Sequence, residues 1–379
     1  MKLAIYTIAK NEKKFVDKWI ENVLPADYIC VLDTGSTDGT WEALQEYSKQ
    51  YPEKIIVAQK TYDFFRFDVA RNDNLAMVPE DTDIYLSTDL DELLTSPNWV
   101  EEFKKVWIPG QTQRACYKYI WSHMEDGSPG RIFYYNKAHD RTWKWTAPVH
   151  ELLRSTVTNS ESYTYNVSVN LFDKVTLEHF PDRTKSRGSY LPLLELRERE
   201  DPEDYYGKIY LANEYVYRGH YEKALEKFHL ILTEFADRYN SIEKASCYLF
   251  SGDCYLKLNK KEEAISSYIQ AIRVEPTYRE AYIGLMKVLE EMRQWDLARA
   301  VGIEALKKTY RHFTWLERDT SWTYELYDSL SIACFYGDHK LESIAYATKA
   351  LQFCPENERL KNNLKICLEK TKDSEFVTN

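Results

Sequence analysis

Small residues recur at a spacing of 34 in the second half of the chain, and this period constrains the fold more than any other sequence feature. Ala264 and Ala271 are followed 34 residues later by Ala298 and Ala305. A period of this length is typical of a repeated pair of helices, in which small residues let neighbouring helices approach and large residues fill the adjoining groove. The sequence from about Asp201 onward therefore predicts an all-helical array.

Residues at matching offsets extend this array to about four units within residues 200–370, with a polar tail after Leu368. The offsets are occupied by Ala212, Tyr215, Tyr221, Ala224 and Phe228, then by Gly252, Tyr255, Tyr268 and Pro276, and finally by Tyr327, Leu330, Ala347, Ala350 and Pro355. The first two units are nearer 40 residues apart, which predicts one extended helix or turn. The pattern resembles tetratricopeptide repeats, which hold peptides or partner subunits, act as structural supports, or form homodimers.

The first half of the chain alternates short apolar runs with helical patterns, which predicts an α/β domain. Glycines 35 and 39 permit a tight turn after the second strand, and Ser36 or Thr37 could cap the helix that follows. The expected elements are a strand over residues 2–9, a helix over 15–23, a strand over 28–32 and a helix from near Trp41.

Acidic residues follow two of the apolar runs directly. In open α/β sheets, ligands bind outside the carboxyl ends of the strands, so Asp33 is expected to face a ligand crevice, although a turn cap without a ligand is an open alternative. Asp89 and Asp91 follow the run that contains Tyr85 and Leu86. Two carboxylates at this spacing can hold Mg²⁺ or Mn²⁺ and leave coordination positions open for a diphosphate, but acids also cluster in solvated turns.

Six segments in order resemble the family 2 glycosyltransferases with the GT-A fold. They are TIAKNE at 7–12, DTGSTDGT at 33–40, FDVARN at 67–72, TDLDE at 88–92, PVHE at 148–151 and LEHF at 177–180. The last two are similar to elements of the branch that includes bacterial lipopolysaccharide-core glucosyltransferases. The resemblance implies a Rossmann-like, nucleotide-sugar-binding GT-A domain over residues 1–190. Its combination with helical repeats is similar to the architecture of bacteriocin-peptide S-glycosyltransferases.

The resemblance also implies roles for individual residues. It implies that Asp91 binds Mg²⁺ or Mn²⁺ directly, that Asp89 acts through the ribose or a water, and that His179 joins the metal shell unless it is structural. Asp68 and Arg71 share one helical face, so an intrahelical ion pair is an alternative to donor binding. The residues expected to bind the UDP-sugar donor are Thr7, Asn11, Glu12, Asp33, Gly35, Ser36, Asp68, Arg71 and Asp89.

A direct displacement at the anomeric carbon requires a base near the acceptor hydroxyl or thiol. Glu151 matches the family position of that carboxylate, and His150 could orient the acceptor or serve as the base itself. Glu125, Asp126 and Asp140 are the other acids after the metal motif. A basic cluster of Arg183, Lys185 and Arg187 could close over the diphosphate or could be a solvated connector.

Composition excludes several classes of protein. The net charge of −10 argues against a nucleic-acid-binding surface, which must be basic. Seven cysteines without a Cys-x-x-Cys pair fit reduced thiols in a cytoplasmic protein and argue against zinc. The apolar run at the N-terminus is too short for a signal peptide or anchor, and no segment reads as membrane-spanning.

The sequence as a whole predicts a metal-dependent, inverting glycosyltransferase that moves a sugar from a UDP-sugar to a hydroxyl or thiol of a saccharide or peptide acceptor. One alternative is a peptide or protein glycosyltransferase whose repeats hold the polypeptide acceptor. An alternative of another class is a non-catalytic repeat scaffold with an inactive GT-A domain.

Overall fold

The computed structural model describes residues 1–157, 168–182, 188 and 190–375. It divides into two compact units. The first comprises Met1–Ser122 and Ile132–Asp201, and the second comprises His123–Arg131 and Pro202–Asn379.

The first unit is built on an eight-stranded mixed sheet with the order β3-β2-β1-β4-β7-β6-β10-β5, and β8 and β9 form a separate antiparallel pair. The strands are β1 Leu3–Ala9, β2 Tyr28–Asp33, β3 Ile55–Gln59, β4 Ile84–Ser87, β5 Glu92–Leu94, β6 Arg114–Ile120, β7 Ile132–His139, β8 Trp143–Thr146, β9 Leu152–Ser155 and β10 Ser168–His179. The helices are α1 Lys13–Val23, α2 Thr40–Gln50, α3 Phe67–Leu75, α4 Trp99–Val106 and α5 Tyr190–Glu200.

Burial on both faces of the sheet explains why its first strands read as continuous apolar runs. In β1 every side chain except Ile8 is buried, as expected for a central parallel strand covered on both sides. Helix α1 buries one stripe at helical spacing, formed by Val16, Trp19, Ile20 and Val23. Each such side chain contributes about 1.5–3 kcal/mol when it is fully withdrawn from water.

The prediction that Ser36 or Thr37 caps α2 is wrong. The helix begins at Thr40 after Gly39, whose φ is 91°, and Asp38 Oδ1 accepts the N–H of Thr40 at 3.1 Å. The hydroxyl of Ser36 instead accepts the N–H of Asn11 at 2.8 Å, and Thr37 donates its N–H to Asn11 Oδ1 at 2.8 Å. The two residues therefore tie the loop after β2 to the loop after β1.

The second unit consists of consecutive helices joined within each pair by three residues. The pairs are α6 Tyr205–Tyr217 with α7 Tyr221–Thr233, α8 Ser241–Lys257 with α9 Lys261–Val274, α10 Arg279–Glu291 with α11 Trp295–Leu306, and α12 Glu325–Tyr336 with α13 Lys340–Phe353. A last helix, α14, spans Glu358–Glu375. The alanines that carry the 34-residue period, such as Ala264 and Ala298, are fully buried.

Glycine is required where Tyr268 of α9 inserts between two other helices. A Cβ atom on Gly252 of α8 would lie 2.6 Å from the Tyr268 ring, and one on Gly284 of α10 would lie 2.5 Å from it. Real Cβ atoms do not approach so closely, because protein interiors are already close-packed. The Tyr268 hydroxyl donates to Asp253 Oδ1 at 2.7 Å, so the ring is fixed at both ends.

Two links between helix pairs are longer than the others. Residues 234–240 contain a short 3₁₀ helix, Ala236–Arg238, and α8 itself has 17 residues, which accounts for the wider spacing of the first two units. Residues 307–324 form a much longer link with a 3₁₀ helix at Asp319–Trp322. The sequence carries a trace of this insertion, since the equivalent Ala305 and Ala350 are 45 residues apart, 11 more than the period.

In the part of the chain that the structure describes, no helix combines the length and apolar character that crossing a bilayer requires. No disulfide forms among the seven cysteines, all of which lie within the described residues.

Candidate functional site

The carboxyl ends of three adjacent parallel strands meet at one edge of the sheet. Strand β1 pairs in parallel with β2 on one side and with β4 on the other. The loops that leave these strands carry Asn11, Asp33 and the Asp89–Asp91 turn. The topology therefore brings three of the segments singled out in the sequence to a common edge, where open α/β sheets bind ligands.

Asp33 is fully buried at the end of β2, and its two oxygens differ in their surroundings. Oδ1 accepts the N–H groups of Gly35 and Ser36 at 3.0 Å each and the amide of Gln59 at 2.9 Å. Oδ2 is buried without a hydrogen-bond partner among the described residues. A buried polar atom without a partner costs about 1–3 kcal/mol, so the turn-cap alternative accounts for one oxygen and leaves the other for a donor from outside.

Gly35 makes the turn after Asp33 possible. Its φ of 98° lies in the left-handed region, and a Cβ atom there would lie 3.1 Å from Thr61 Cγ2. Other residues at this position would strain the backbone that presents two N–H groups to Asp33.

The loop after β1 is held by the hydrogen bonds that link Asn11 to Ser36 and Thr37. Asn11 itself has a φ of 54°, and the N–H of Glu12 donates to Thr40 Oγ1 at 2.8 Å. Thr7 lies farther back, fully buried within β1, and its hydroxyl donates to the carbonyl of Ile8 at 3.2 Å. These hydrogen bonds bring Asn11 and Ser36 together, whereas the Thr7 side chain is buried within the sheet.

Arg71 of α3 connects the metal motif with the proposed base. Its Nη2 donates to Asp89 Oδ1 at 2.8 Å, and its Nε donates to Glu151 Oε1. Its Nη1 donates to Ser87 Oγ at 3.2 Å, and its guanidinium lies over the Trp145 ring. The Arg71 side chain is only 5% exposed, so these charges interact with little screening by water.

The intrahelical ion pair between Asp68 and Arg71 does not form. Asp68 instead accepts two hydrogen bonds from Arg66, at 3.1 and 3.0 Å. The extended backbone of Arg66 just before α3 lets its guanidinium fold onto Asp68, whereas Arg71 faces two other carboxylates. Asp68 therefore lies beside the Arg71 cluster without belonging to it.

Both carboxyl groups paired with Arg71 have lowered pKa values. Burial alone would raise the pKa of Asp89, but the charges of Arg71 and Lys137 outweigh it and hold that pKa well below its usual value. The same balance lowers the pKa of Glu151. Lys137 of β7 was not anticipated from the sequence, and no local motif marks it.

Asp91 and His179 form a second pair. His179 Nε2 lies 3.4 Å from Asp91 Oδ2, and Nδ1 lies 3.0 Å from the carbonyl of Trp121. Burial lowers the pKa of His179, but the carboxylate of Asp91 more than compensates and raises it. A metal-binding histidine usually donates its other ring N–H to a carbonyl or carboxylate, and the Trp121 carbonyl offers His179 such a partner.

Among the described residues, no three His, Cys, Asp or Glu side chains come together as a metal site. Asp91 and His179 offer two ligand atoms at a separation that suits one small cation, while Asp89 is engaged by Arg71. Two protein ligands are sufficient where a diphosphate supplies further oxygens, as Mg²⁺ sites commonly use one or two carboxylates plus phosphate.

Glu92 is a further member of the site that sequence reasoning left without a role. It is buried, its Oε2 accepts the N–H of Asp89 at 2.9 Å, and its Oε1 accepts the hydroxyl of Tyr119 at 2.6 Å. Burial, followed by the charge of Asp89, raises its pKa to about 7. Its place directly after the metal motif was visible, and it fixes the backbone of Asp89.

The segment that carries His150 and Glu151 is braced by α5. Arg197 Nη1 donates to the carbonyls of Val149 at 3.0 Å and His150 at 2.7 Å. His150 has a φ of 49°, and its ring meets the edge of Tyr190 with centroids 5.6 Å apart. The brace holds His150 in a left-handed conformation that residues with a Cβ rarely adopt.

The other candidate acids form local hydrogen bonds, and two of them belong to the second unit. Asp140 Oδ1 accepts the N–H and hydroxyl of Thr142, and Asp126 Oδ1 does the same for Ser128. Glu125 and Asp126 belong to the second unit. The basic cluster of Arg183, Lys185 and Arg187 lies outside the described residues.

Residues 4–151 match the family model described as glycosyl transferase family 2. No curated protein matches the chain at a significant level. Among solved structures, TTC0263, a thermophilic TPR protein of Thermus thermophilus, is 22% identical over 48% of this chain and 90% of its own, with a TM-score of 0.37. MamA of Desulfovibrio magneticus is 16% identical over 46% of this chain and 90% of its own, also with a TM-score of 0.37. The first TPR domain of human RPAP3 is 17% identical over 35% and 94%, with a TM-score of 0.30.

The fold class predicted from the sequence is confirmed. The family match falls on the mixed sheet of a GT-A-like domain, and the helix pairs that follow carry the buried small residues of tetratricopeptide repeats.

Proposed function

We propose that the chain is an inverting glycosyltransferase that moves a sugar from a UDP-sugar to a hydroxyl or thiol of a saccharide or peptide acceptor. The observation that carries the proposal is that Asp33 ends β2 and the turn with Asp91 follows β4, the two parallel neighbours of β1, while Asp91 faces His179 at the end of β10. Asp33 suits a nucleoside, and the Asp91–His179 pair suits a metal ion bound to the diphosphate of the same molecule.

Asp33 would bind the nucleoside half of the donor. Its buried Oδ2 needs a hydrogen-bond donor, and the uracil N–H and ribose hydroxyls are both suitable. The turn formed by Gly35 and Ser36 holds the carboxylate in place through Oδ1. A contact of this kind is made equally in the ground and transition states, so it contributes to donor affinity.

Asp91 and His179 would hold Mg²⁺ or Mn²⁺, which supplies charge stabilisation for the departing diphosphate. Arg71 keeps Asp89 ionised at neutral pH, and Lys137 adds positive charge beside Asp89 and Glu151. The cationic side chains of Arg71 and Lys137 thus face the carboxylates before a donor binds. Charged groups that are already in place need less rearrangement during the reaction.

Glu151 would accept the proton of the acceptor nucleophile. It is ionised because Arg71 and Lys137 offset the effect of burial on its pKa, and Arg71 orients it through a hydrogen bond to Oε1. The lowered pKa makes Glu151 a weak base until the acceptor oxygen or sulfur begins to bond to the anomeric carbon and becomes more acidic. His150, fixed by its backbone, would position the acceptor.

The seven cysteines without a disulfide suit a reducing compartment, so we place the protein in the cytoplasm. The repeats offer a surface for a polypeptide acceptor or for a second copy of the chain.

The proposal is tested by incubating the chain with individual UDP-sugars and Mn²⁺ or Mg²⁺ and measuring the release of UDP. We expect release with at least one donor and its loss when EDTA removes the metal. The same donor should stabilise the protein by about 2.7 kcal/mol at 100 times its dissociation constant, as measured by thermal unfolding. Stabilisation without turnover with any acceptor would favour the non-catalytic scaffold.

Asp33→Asn is expected to weaken UDP binding while changing turnover at saturating donor much less. The amide keeps one oxygen for the turn but places an NH₂ group where the nucleoside needs an acceptor. The expected cost is about 1–3 kcal/mol, typical of a lost hydrogen bond to a charged group. Isothermal titration calorimetry with UDP measures it, and Asp63→Asn, at an exposed acid of the same unit, is the control. Equal UDP affinity in the parent and the Asp33 variant would leave Asp33 as a turn cap only.

A further inference from the structure

The link between α11 and α12 is longer than a repeat array needs. It spans residues 307–324, whereas the preceding pair is reached through residues 275–278 and the last helix through residues 354–357. This 307–324 segment is also packed, because Leu316, Glu317 and Ser321 are 3%, 2% and 0% exposed. An 18-residue loop that buries its side chains has a specific binding partner within the fold.

The first helices of successive pairs supply several of its partners, and Arg131 of the second unit donates to the Trp315 carbonyl at 3.3 Å. Trp315 stacks on Tyr210 of α6 with ring centroids 4.5 Å apart. Arg279 of α10 lies over the ring of Trp322, 4.4 Å from its centroid, and Thr320 Oγ1 donates to Glu325 of α12 at 2.6 Å. The segment thus contacts one surface, here called the first-helix face, formed by residues of α6, α8, α10 and α12.

Arg318 of the segment contacts residues of two helices of this face. Its guanidinium forms an ion pair with Asp253 of α8 and lies over the Phe250 ring at 5.6 Å. Its backbone N–H points at Glu280 Oε1 of α10, 3.5 Å away. Asp253 is oriented by the hydroxyl of Tyr268, the ring fixed between Gly252 and Gly284. A carboxylate beside an aromatic ring suits a guanidinium group, and Glu280 faces the backbone of the same residue.

We infer that the 307–324 segment is a built-in ligand that fills the first-helix face, with Arg318 as its anchor and Trp315 and Trp322 on either side. The inference is independent of the sugar-transfer chemistry, since the contacts described above lie within the second unit. The class of ligand that this face takes is an extended peptide with an arginine between aromatic residues. A polypeptide acceptor or partner reaches the face only by displacing the segment.

The test uses a fluorescein-labelled synthetic peptide with the sequence of residues 309–322 as the probe, followed by fluorescence anisotropy. In one variant of the full chain, residues 311–322 are replaced by a glycine-serine linker of equal length. We expect this variant to bind the probe at least about tenfold more tightly than the parent, because a tethered segment competes at an effective concentration near millimolar. Equal binding by both proteins, or no binding by the folded variant, overturns the inference.

Two further changes identify the pocket. In the linker variant, Asp253→Asn should lower probe affinity by at least about tenfold, and so should an alanine in place of the arginine that corresponds to Arg318 in the probe. Undiminished binding in both cases means that Arg318 is not the anchor.

A second measurement serves if the linker variant does not fold by circular dichroism. In the otherwise native chain, Asp253→Asn should raise the hydrogen-exchange rate of the amides of residues 315–322 at least about tenfold relative to the parent. Lys307→Ala is the matched control, since Lys307 lies in the same segment but pairs with Glu304 of α11. Unchanged exchange in the Asp253 variant overturns the inference.

Discussion

Arg71→Ala is expected to lower the free energy of unfolding by about 3–5 kcal/mol at neutral pH, as is typical when one partner of a buried ion pair is removed. The Glu151 side chain is only 9% exposed, and without Arg71 its charge would have to be buried without its closest cation. Urea unfolding followed by tryptophan fluorescence measures the change. Arg141→Ala, at an exposed arginine of the same unit, should change stability by less than about 0.5 kcal/mol.

The effect of Arg71→Ala should depend on pH in a defined direction. Burial opposes ionisation of Asp89 and Glu151, but Arg71 lowers the pKa of both below the usual carboxyl values. A carboxyl with a lowered pKa in the folded state adds stability above its unfolded pKa and loses this contribution as the pH falls through the folded value. The difference between parent and variant should therefore shrink on acidification. A difference that is constant with pH would mean that packing, not charge, accounts for the loss.

Asp91→Asn is expected to lower turnover by about 10²-fold or more, the range seen when one preorganised charge contact is lost from a reaction centre. The amide replaces the carboxylate that faces His179 Nε2 at 3.4 Å and weakens the proposed Mg²⁺ or Mn²⁺ site. UDP release is measured as a function of Mn²⁺ concentration. Because the amide is a weaker ligand than the carboxylate, the variant should need more Mn²⁺ for half-maximal activity.

Asp173→Asn provides the control for the metal prediction, because Asp173 lies on β10 with His179 but is exposed. It should retain parental activity and Mn²⁺ dependence. Full activity of Asp91→Asn in the presence of EDTA would remove Asp91 from the metal site.

Local sequence patterns predicted the elements of the site well, because strand ends and tight turns are determined by a few adjacent residues. Asp33 ends β2, and Asp89 follows β4, as the apolar runs implied. The glycine at position 35 adopts the positive φ that the turn needs. These features depend on nearest neighbours, which sequence shows directly.

Pairings between distant residues could not be predicted in the same way. Arg71 and Glu151 are 80 positions apart, and Arg71 had a closer acid in Asp68 at helical spacing. The choice depends on how Arg66 lies before α3 and on where the strand pair β8–β9 places Glu151, and neither is visible in a window of a few residues. Lys137 and Arg197 could not be predicted for the same reason. Each interacts with residues that are distant in sequence, and neither belongs to a recognisable motif.

Arg197 donates hydrogen bonds to the carbonyls of Val149 and His150. The family match is therefore shorter than the part of the chain that holds the proposed site in place. The family match ends at residue 151, yet the residue that fixes this last motif is supplied by a helix ending at Glu200. A chimera joined directly after the match would keep five of the six signature segments, but it would lose LEHF at 177–180 and the support of the proposed base. The smallest exchangeable part of this architecture therefore extends about fifty residues beyond the family match, to the end of the first unit at Asp201.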